Sequence, residues 1–286
     1  MYASKKSPRG KSLMEINPTV KIIVATHKKY KMPVDSMYLP LHVGAETKKD
    51  GNGIPLDLGY MKDNTGENIS IKNPSYCELT GLYWAWKNLD TSYIGLVHYR
   101  RHFGRKSKEP FDGVMTYNQL QPLLRKYKVF VPTKRKYYIE TLYSHYQHTH
   151  YADQLDLTRE IIFERYPDYI KSYDEVVKRT YGYMFNMAIM QKEYFDTYCR
   201  WLFDILFELE SRIEAPKLSA FQVRFYGRIS EIIFNVWLDE QVKSGVLKST
   251  DVKELPYMHM EKVDWGKKVT AFLKAKFLNK KYEGSF

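Results

Sequence analysis

The sequence VKIIVAT at residues 20–26 decides how the rest of the chain is interpreted. Five of its seven residues are β-branched, which is typical of a strand that is buried on both faces of a sheet. Two further apolar runs, YIGLVHY at residues 93–99 and YMFNMAIM at residues 183–190, also have the length of strands. Because helical patterns separate the three runs, we predict that they lie together in one central sheet.

Helices alternate with these strands along the chain. Ser75 and Glu78 form a capping box, which marks the start of a helix, and Thr116 with Gln119 repeats the signal. Helices are predicted over residues 75–88, 116–126, 155–166, 173–179, 192–213 and 229–242. This order predicts an α/β fold, with a Rossmann-type, mainly parallel sheet flanked by helices and a helical C-terminal part.

The formal net charge of +12 arises from 45 Lys and Arg residues against 33 Asp and Glu residues, and most of it belongs to the two ends. Residues 1–12 carry four basic side chains and no acid, and residues 262–286 carry seven lysines against two acids. The 249 residues between these ends therefore hold a charge of only +3. Binding of duplex nucleic acid requires a basic face on the folded body, so the distribution argues against nucleic acid as a partner.

The basic C-terminal segment has two interpretations. Residues 267–281 place four apolar side chains on one face of a predicted helix. That helix either packs on the body or lies on an anionic membrane surface through the lysines of residues 262–286. The sequence shows neither a signal-peptide core nor an apolar run of membrane-spanning length, so we expect a cytoplasmic protein. Cys77 and Cys199 stand alone, which predicts neither a disulfide nor a zinc site.

Polar residues follow the first strand, at the edge where ligands of parallel sheets bind. Thr26, His27 and Lys28 supply a hydroxyl, an imidazole and an ammonium group that suit a phosphate or a nucleotide. The long Gly- and Asn-rich loop over residues 50–73 adds Asp63 and Asn64, which suit a ribose or sugar. Each of these residues also has a simpler interpretation as an ordinary loop or turn residue.

The run His98-Tyr99-Arg100-Arg101 follows the strand at residues 93–99. Two adjacent arginines beside an apolar strand are costly to place unless an anion or a carboxylate pairs with them. The guanidinium fork matches phosphate oxygens in a bidentate manner, so this run is predicted to bind a diphosphate.

A histidine cluster, His145, His148 and His150, lies among tyrosines with Asp153 close by. Its spacing does not match a pair of metal ligands at i and i+4 on a helix, so a metal site is the less favoured interpretation. A polar, aromatic wall that binds an acceptor and an ordinary surface loop are the two alternatives.

Glu231 lies near the start of the helix predicted over residues 229–242. The positive end of a helix lowers the proton affinity of a carboxylate, so Glu231 as a general base would act through proximity rather than through a raised pKa. Stabilisation of the helix start is the equally weighted structural interpretation.

Four longer motifs resemble a known family. They are NPSYCELTGLYWAWKN at residues 73–88, YIGLVHYRRHF at residues 93–103, the segment over residues 183–213 and GRISEIIFNVWL at residues 227–238. Their order resembles that in bacterial glycosyltransferases of capsule, exopolysaccharide and O-antigen clusters, catalogued as the domain of unknown function DUF4422. Some members are galactofuranosyltransferases. The resemblance covers about residues 20–245 and leaves the basic ends outside.

The resemblance implies a GT-A-like fold, a nucleotide-sugar donor and a glycan or lipid-linked glycan acceptor. GT-A enzymes usually carry an Asp-x-Asp motif that holds a divalent metal on the donor diphosphate. The run at residues 98–101 takes that place here, so we expect no cofactor, no metal, and stabilisation of the leaving diphosphate by Arg100 and Arg101. Glu231 is expected to be the catalytic base, with Asp153 or a nearby histidine as rival.

Binding roles follow from the same resemblance. The residues expected to hold the donor are Thr26, His27, Lys28, Asp63, Asn64, His98 and Tyr99. The residues expected to contact the acceptor are His145, His148, His150, Asn186 and Arg224.

The expected organisation is a basic segment over residues 1–19, one catalytic domain over residues 20–245 and a basic tail over residues 246–286. Within the domain, the donor half covers about residues 20–132 and the acceptor half about residues 133–245. The expected reaction is inverting transfer of a hexosyl group, with UDP-galactofuranose as the favoured donor, to a growing surface polysaccharide at the inner face of the cell membrane. Two alternatives are a noncatalytic glycan- or membrane-binding component and nucleic-acid binding through the basic ends.

Overall fold

A computed structural model describes residues 17–213 and 218–261. The strands are β1 (Val20–Thr26), β2 (Tyr38–His42), β3 (Met61–Lys62), β4 (Tyr93–His98), β5 (Arg101–Phe103), β6 (Val129–Pro132), β7 (Arg135–Lys136), β8 (Tyr181–Gly182), β9 (Ala188–Gln191), β10 (Val252–Leu255) and β11 (Tyr257–His259). The α-helices are α1 (Asn73–Tyr76), α2 (Leu79–Asn88), α3 (Tyr117–Leu124), α4 (Leu142–Thr149), α5 (Ala152–Arg165), α6 (Ile170–Val176), α7 (Lys192–Arg212) and α8 (Phe225–Lys243).

The central sheet has the strand order β10-β6-β9-β4-β1-β2-β3. Strand β1 is parallel to both of its neighbours, β2 and β4, and β3 and β10 are likewise parallel to their partners. Strand β9 is antiparallel to β4 and β6, and β5 turns back from β4 to pair with β11. The predicted α/β fold with a mainly parallel sheet, flanking helices and a helical C-terminal part is confirmed.

Strand β1 contributes to two apolar layers, one on each face of the sheet. Ile23 and Ala25 face a large cluster that includes residues of α2 and α4–α8, and Ile22 and Val24 face a smaller cluster with residues of α3. Both faces are therefore covered, which is why the strand is apolar at nearly every position. The predicted buried strand over residues 20–26 is confirmed with its bounds unchanged.

The helix predicted over residues 75–88 is divided. Cys77 has φ of 55° and separates α1 from α2, and the Ser75 hydroxyl donates to the carbonyl oxygen of Lys72 instead of capping the second helix. The prediction of one helix that begins at Ser75 is therefore wrong. The capping box of Thr116 and Gln119, in contrast, is confirmed at the start of α3.

The segment predicted as a strand over residues 183–190 enters the sheet only at Ala188. Phe185 and Asn186 precede it with φ of 75° and 53°, a left-handed pair that extended pairing does not allow. The sheet also continues beyond residue 245, because β10 and β11 join it. No helix in residues 17–213 and 218–261 is long and apolar enough to cross a membrane. The predicted helix within residues 267–281 lies outside the described residues.

Candidate active site

The carboxyl ends of β1 and β4 place His27, Lys28 and Arg100 around one aromatic ring, that of Tyr99. The His27 ring makes an edge contact with it at 5.4 Å between centroids, and Lys28 Nζ lies 5.2 Å from its centroid. The guanidinium carbon of Arg100 lies 5.3 Å from the same centroid. Burial lowers the pKa of His27, and the charges of Lys48, Arg100 and Lys28 lower it further. The two strand ends therefore form a positively charged edge.

A two-residue turn between β4 and β5 gives the two adjacent arginines different surroundings. Strand pairing joins His98 to Arg101, which leaves Tyr99 and Arg100 in the turn. Arg100 is exposed, whereas Arg101 is half-buried with its guanidinium 4.4 Å from the ring centroid of Phe185. The Nε atom of Arg101 is buried and has no hydrogen-bond partner within the part of the chain that the structure describes. Burial lowers the pKa of Arg101, while the carboxylate of Glu231 opposes that effect.

Arg224 directly precedes α8, and Arg228 and Glu231 follow within it at positions i+4 and i+7, which places the three along one face. Glu231 is 9% exposed, and burial raises its pKa. The charges of Arg228 and Arg101 lower this pKa, whereas the neighbouring Glu78 raises it. The expectation of a lowered proton affinity at a helix start is wrong, because α8 begins at Phe225 and Glu231 lies in its second turn.

Asn186 connects the start of β9 to the other elements of the site. Its Nδ2 donates to Glu78 Oε1 at 2.7 Å and to the Gly227 carbonyl oxygen at 3.0 Å. Its Oδ1 is buried without a hydrogen-bond partner among the described residues. The His98 Nε2 atom lies 2.6 Å from the carbonyl oxygen of Phe185. The left-handed backbone at Phe185 and Asn186 therefore brings β4, α2 and α8 together around Glu231.

Arg224, predicted to contact the acceptor, is exposed and lies at the same edge. Its Nε donates to Cys77 Sγ at 2.9 Å, and it is one of the charges that lower the pKa of His27. Burial raises the pKa of the Cys77 thiol to about 11, with Glu78 contributing and Arg224 opposing. Cys77 is therefore a buried neutral thiol that holds Arg224 in place.

Sequence analysis missed Glu78, Phe185 and Arg228. Glu78 lies in a motif that was interpreted only as a helix cap. Arg228 was recognisable from its spacing, because it lies one helical turn after Arg224 and three residues before Glu231. Phe185 had no such signal, since its contact with Arg101 depends on the turn that ends β4.

Asp63, predicted to hold the donor, is fully buried and has protein partners on both oxygens. It accepts hydrogen bonds from the backbone N–H groups of Gly44 and Ala45 and from the hydroxyl groups of Ser70 and Thr80. The structure therefore gives Asp63 the role of joining the loop after β2 to α2.

Two other predicted donor residues are also bound to protein groups. Asn64 Nδ2 donates to Glu46 Oε2 at 3.0 Å. The Thr26 hydroxyl donates to the Lys28 carbonyl oxygen at 2.7 Å and shapes the turn after β1.

The predicted histidine cluster surrounds a buried carboxylate. Glu140 Oε2 lies 2.8 Å from Nδ1 of His145, and Oε1 lies 2.6 Å from Nδ1 of His148. Burial lowers the pKa of His145 to about 4, so its neutral ring donates to the carboxylate. His150 pairs instead with Gln222, at 2.8 Å from Nδ1 to Oε1. These hydrogen bonds hold α4 in place.

Asp153, the predicted rival base, lies on α5 rather than on α8. It is exposed in the first turn of α5 and accepts a hydrogen bond from the Gln154 backbone N–H at 3.1 Å. The carboxylate of the rival base is therefore solvated, whereas that of Glu231 is buried.

The residues where a GT-A enzyme would hold a metal do not fit one here. Arg100 in the turn after β4 and Arg101 at the start of β5 carry fixed positive charges, which repel a divalent cation and match phosphate oxygens. Within residues 17–213 and 218–261, no group of three His, Cys, Asp or Glu side chains has the arrangement of a metal site.

The sequence model of the domain of unknown function DUF4422 matches residues 21–242. The chain belongs to this family. The matched range begins in β1 and ends in α8, so the DUF4422 domain contains every residue of the strand edge and of the Glu231 site described above.

One solved structure, described as the apo structure of the WbbM bifunctional glycosyltransferase, is similar to this chain with a TM-score of 0.76 and 29% sequence identity. The similarity covers 85% of this chain and 46% of that chain, so this chain spans about half the length of the solved protein. No curated protein sequence matches this chain. The DUF4422 domain described here therefore has a glycosyltransferase-like fold.

Proposed function

We propose that this DUF4422 chain is a glycosyltransferase that moves a hexosyl group from a nucleotide-sugar to a glycan acceptor. The observation that carries the proposal is the position of Glu231, a buried carboxylate with a raised pKa between Arg101 and Arg228. A base with such a pKa and an electrophilic arginine are the two devices that transfer from a nucleoside diphosphate requires. The similarity to WbbM supports the same reaction class.

In this mechanism the charged edge holds the donor diphosphate. Lys28 and Arg100, both near Tyr99, bind phosphate oxygens, and the half-buried Arg101 faces the oxygen that leaves with the nucleotide. Negative charge develops on that oxygen as the glycosidic bond breaks. Fixed guanidinium groups stabilise this charge in the manner of a bound metal.

Glu231 is the base of the proposed reaction. Its carboxylate takes the proton from an acceptor hydroxyl while the acceptor oxygen forms a bond to the anomeric carbon. The electrons of the broken bond leave with the nucleoside diphosphate. A single displacement of this kind inverts the anomeric centre. Arg224 and Asn186 lie at the same site and are proposed to contact the acceptor.

The decisive experiment is a donor screen that measures UDP release from UDP-galactofuranose, UDP-galactose and UDP-glucose in the presence of a lipid-linked glycan acceptor. We expect turnover with at least one donor, with UDP-galactofuranose the favoured one, and loss of turnover in Glu231→Gln. Absence of UDP release with every donor would instead support a noncatalytic glycan- or membrane-binding component.

Metal independence is part of the proposal and is tested separately. We expect turnover to persist in excess chelator, since guanidinium groups occupy the turn where the metal-binding motif is expected. Complete loss of turnover that manganese restores would contradict this part alone.

We also propose that the protein works at the inner face of the cell membrane, where a lipid-linked acceptor would reside. Residues 262–286 carry seven lysines and are the proposed contact. Their deletion should weaken binding to anionic vesicles while turnover on a soluble acceptor persists. Equal vesicle binding with and without these residues would remove that role.

A further inference from the structure

The short ribbon of β7 and β8 ends in two exposed apolar side chains. Tyr138 is 80% exposed and Ile139 is 67% exposed, and the buried Tyr137 joins them to the end of β7. In the ribbon, Arg135 pairs with Gly182 and Lys136 pairs with Tyr181. We call Tyr138 and Ile139 the ribbon tip. Two large apolar side chains side by side in water suggest a partner.

The backbone holds the ribbon tip outward in an unfavourable conformation. The Ile139 N–H donates to the Tyr137 carbonyl oxygen at 2.7 Å, which closes a three-residue turn, and Tyr138 at its centre has φ of 58°. A bulky residue rarely adopts positive φ, and such strain concentrates at functional positions. Tyr137 anchors the turn, because it is buried, contacts the His145 ring at 4.4 Å, and donates its N–H to Thr180.

Positive charge surrounds the ribbon tip. The segments over residues 133–139 and 178–182 contain five basic residues and no acid. Lys134 pairs with Glu254 and Arg179 pairs with Asp239. The other three, Arg135, Lys136 and Lys178, form no salt bridge within the part of the chain that the structure describes.

We propose that the ribbon tip binds an anionic lipid surface, with Tyr138 and Ile139 in the interfacial region and Arg135, Lys136 and Lys178 against lipid phosphates. Tyrosine is favoured at the membrane–water interface, and an isoleucine gains free energy there only by leaving water. Each basic side chain near an anionic surface strengthens binding by roughly fivefold. The phosphates of a nucleic acid would pair with the basic side chains but would make no favourable contact with the aliphatic side chain of Ile139. None of these five residues belongs to residues 262–286 or to the residues assigned to the proposed glycosyltransferase site.

Vesicle binding of the full chain tests the proposal without any donor or acceptor. The tip variant combines Tyr138→Ser with Ile139→Ser, and the control variant combines Ile71→Ser with Phe163→Ser, which replace side chains that are 66% and 61% exposed. With phosphatidylglycerol-containing vesicles, we expect the tip variant to bind about tenfold more weakly and the control to bind as wild type does. Residues 262–286 are the same in all three proteins. Equal binding of wild type and tip variant overturns the proposal.

A fluorescent label reports on the ribbon tip itself. Cys77 and Cys199 are buried, so Ile139→Cys and the control Phe163→Cys each offer one accessible thiol for an environment-sensitive dye. We expect a blue shift at position 139 with phosphatidylglycerol-containing vesicles, a smaller one with pure phosphatidylcholine, and none at position 163. Emission that stays at its aqueous value while the protein is vesicle-bound overturns the proposal. A blue shift at position 139 when unlabelled protein is added without vesicles also overturns the proposal, because the partner of the ribbon tip would then be a second copy of the chain.

Discussion

Two buried carboxylates, Glu231 and Glu140, have pKa values displaced in opposite directions. Glu231 is 9% exposed with a raised pKa, and Glu140 is 3% exposed with a lowered one. Burial raises the pKa of both, but each oxygen of Glu140 pairs with an imidazole, from His145 and His148, and these hydrogen bonds outweigh burial. Burial alone therefore does not distinguish a reactive carboxylate from a structural one. The two pKa values differ in direction because two imidazoles favour the ionised form of Glu140, whereas the backbone hydrogen bond from Phe185 and the nearby arginines do not offset the burial of Glu231.

The same contrast extends to the groups around each carboxylate. Near Glu231, the Nε of Arg101 and the Oδ1 of Asn186 are buried without hydrogen-bond partners among the described residues. Around Glu140, the polar side chains satisfy one another. Unsatisfied polar groups are costly unless a ligand completes them, so this difference supports the proposal that the Glu231 site binds a ligand.

The largest expected effect comes from Glu231→Gln, which keeps the shape of the side chain and removes the base. Turnover should fall by about 10²–10⁴-fold, because a positioned base contributes that much. UDP release measures this loss. Unchanged turnover in a folded variant would contradict the assignment of the base.

Glu231→Gln should raise the thermal stability of the protein even though it lowers turnover. A folded-state pKa above the ordinary value of 4.5 means that ionisation of Glu231 opposes folding as pH rises through that folded-state pKa. The variant should therefore unfold at a higher temperature than wild type at neutral pH, and the difference should disappear below about pH 4.5. Thermal unfolding across this pH range measures it. A variant that is less stable at neutral pH would show that Glu231 has a structural role like that of Glu140.

Replacement of Arg101 should have the next largest effect. Arg101→Gln should lower turnover by about a hundredfold, as expected when one group that stabilises developing charge is removed. Arg100→Gln should cost less, about tenfold, because Arg100 is exposed and its charge is screened by water. Arg101→Lys retains the charge without the planar fork and should recover only part of the loss. Equal effects at the two positions would contradict the distinction between them.

Glu140→Gln should affect stability and leave turnover of the folded protein within a few-fold of wild type. Loss of the ionised partner of two buried imidazoles should lower the free energy of unfolding by about 1–3 kcal/mol. The lowered pKa of Glu140 stabilises the fold above its unfolded-state pKa, and that stability is lost as pH falls. Protonation of His145, whose pKa is about 4 instead of 6.5, adds to the loss below pH 6.5. The part of this pH dependence that comes from ionisation of Glu140 should be absent in the variant, which chemical denaturation between neutral and acidic pH measures.

The Glu231 site and the Glu140 cluster also differ in how far they could be predicted from the sequence. Strand β1 and the long helices were predictable because their apolar periodicity is local and is confirmed by burial. The residues at the ends of β1 and β4 were predictable as neighbours because parallel strands end at one edge of the sheet. The histidine cluster and the arginine run were equally prominent in the sequence. The structure distinguishes the two, because it places the carboxylate of Glu140 between His145 and His148.

Other features depend on contacts that are distant in sequence. One such feature is the break in the helix at Cys77, and another is the left-handed backbone of Phe185 and Asn186. Both depend on the packing of α2, β9 and α8, and the local sequence predicts neither of them. Asp63 resembled a ligand-binding loop residue. Its four hydrogen-bond donors come from three separate segments, so its structural role becomes visible only in the folded chain.

The smallest expected effect concerns Glu261, which lies on the charged edge rather than at Glu231. Its carboxylate is 3.8 Å from Arg100 Nη1 and 4.0 Å from Lys28 Nζ. A negative group at this position competes with the donor diphosphate for the same cations. Because these side chains are 42–50% exposed, the competition is weak, and Glu261→Gln should tighten UDP binding by only about two- to fivefold.

Titration with UDP at low and high salt tests this prediction. The difference between wild type and Glu261→Gln should shrink as salt rises, because screening acts on exposed charges first. Glu254→Gln is the matched control, since Glu254 pairs with Lys134 at 3.4 Å and contacts neither cation of the charged edge. If Glu261→Gln binds UDP as wild type does at low salt while Glu231→Gln loses turnover, Lys28 and Arg100 do not hold the diphosphate. The electrophilic role would then belong to Arg101 and Arg228, on the Glu231 side.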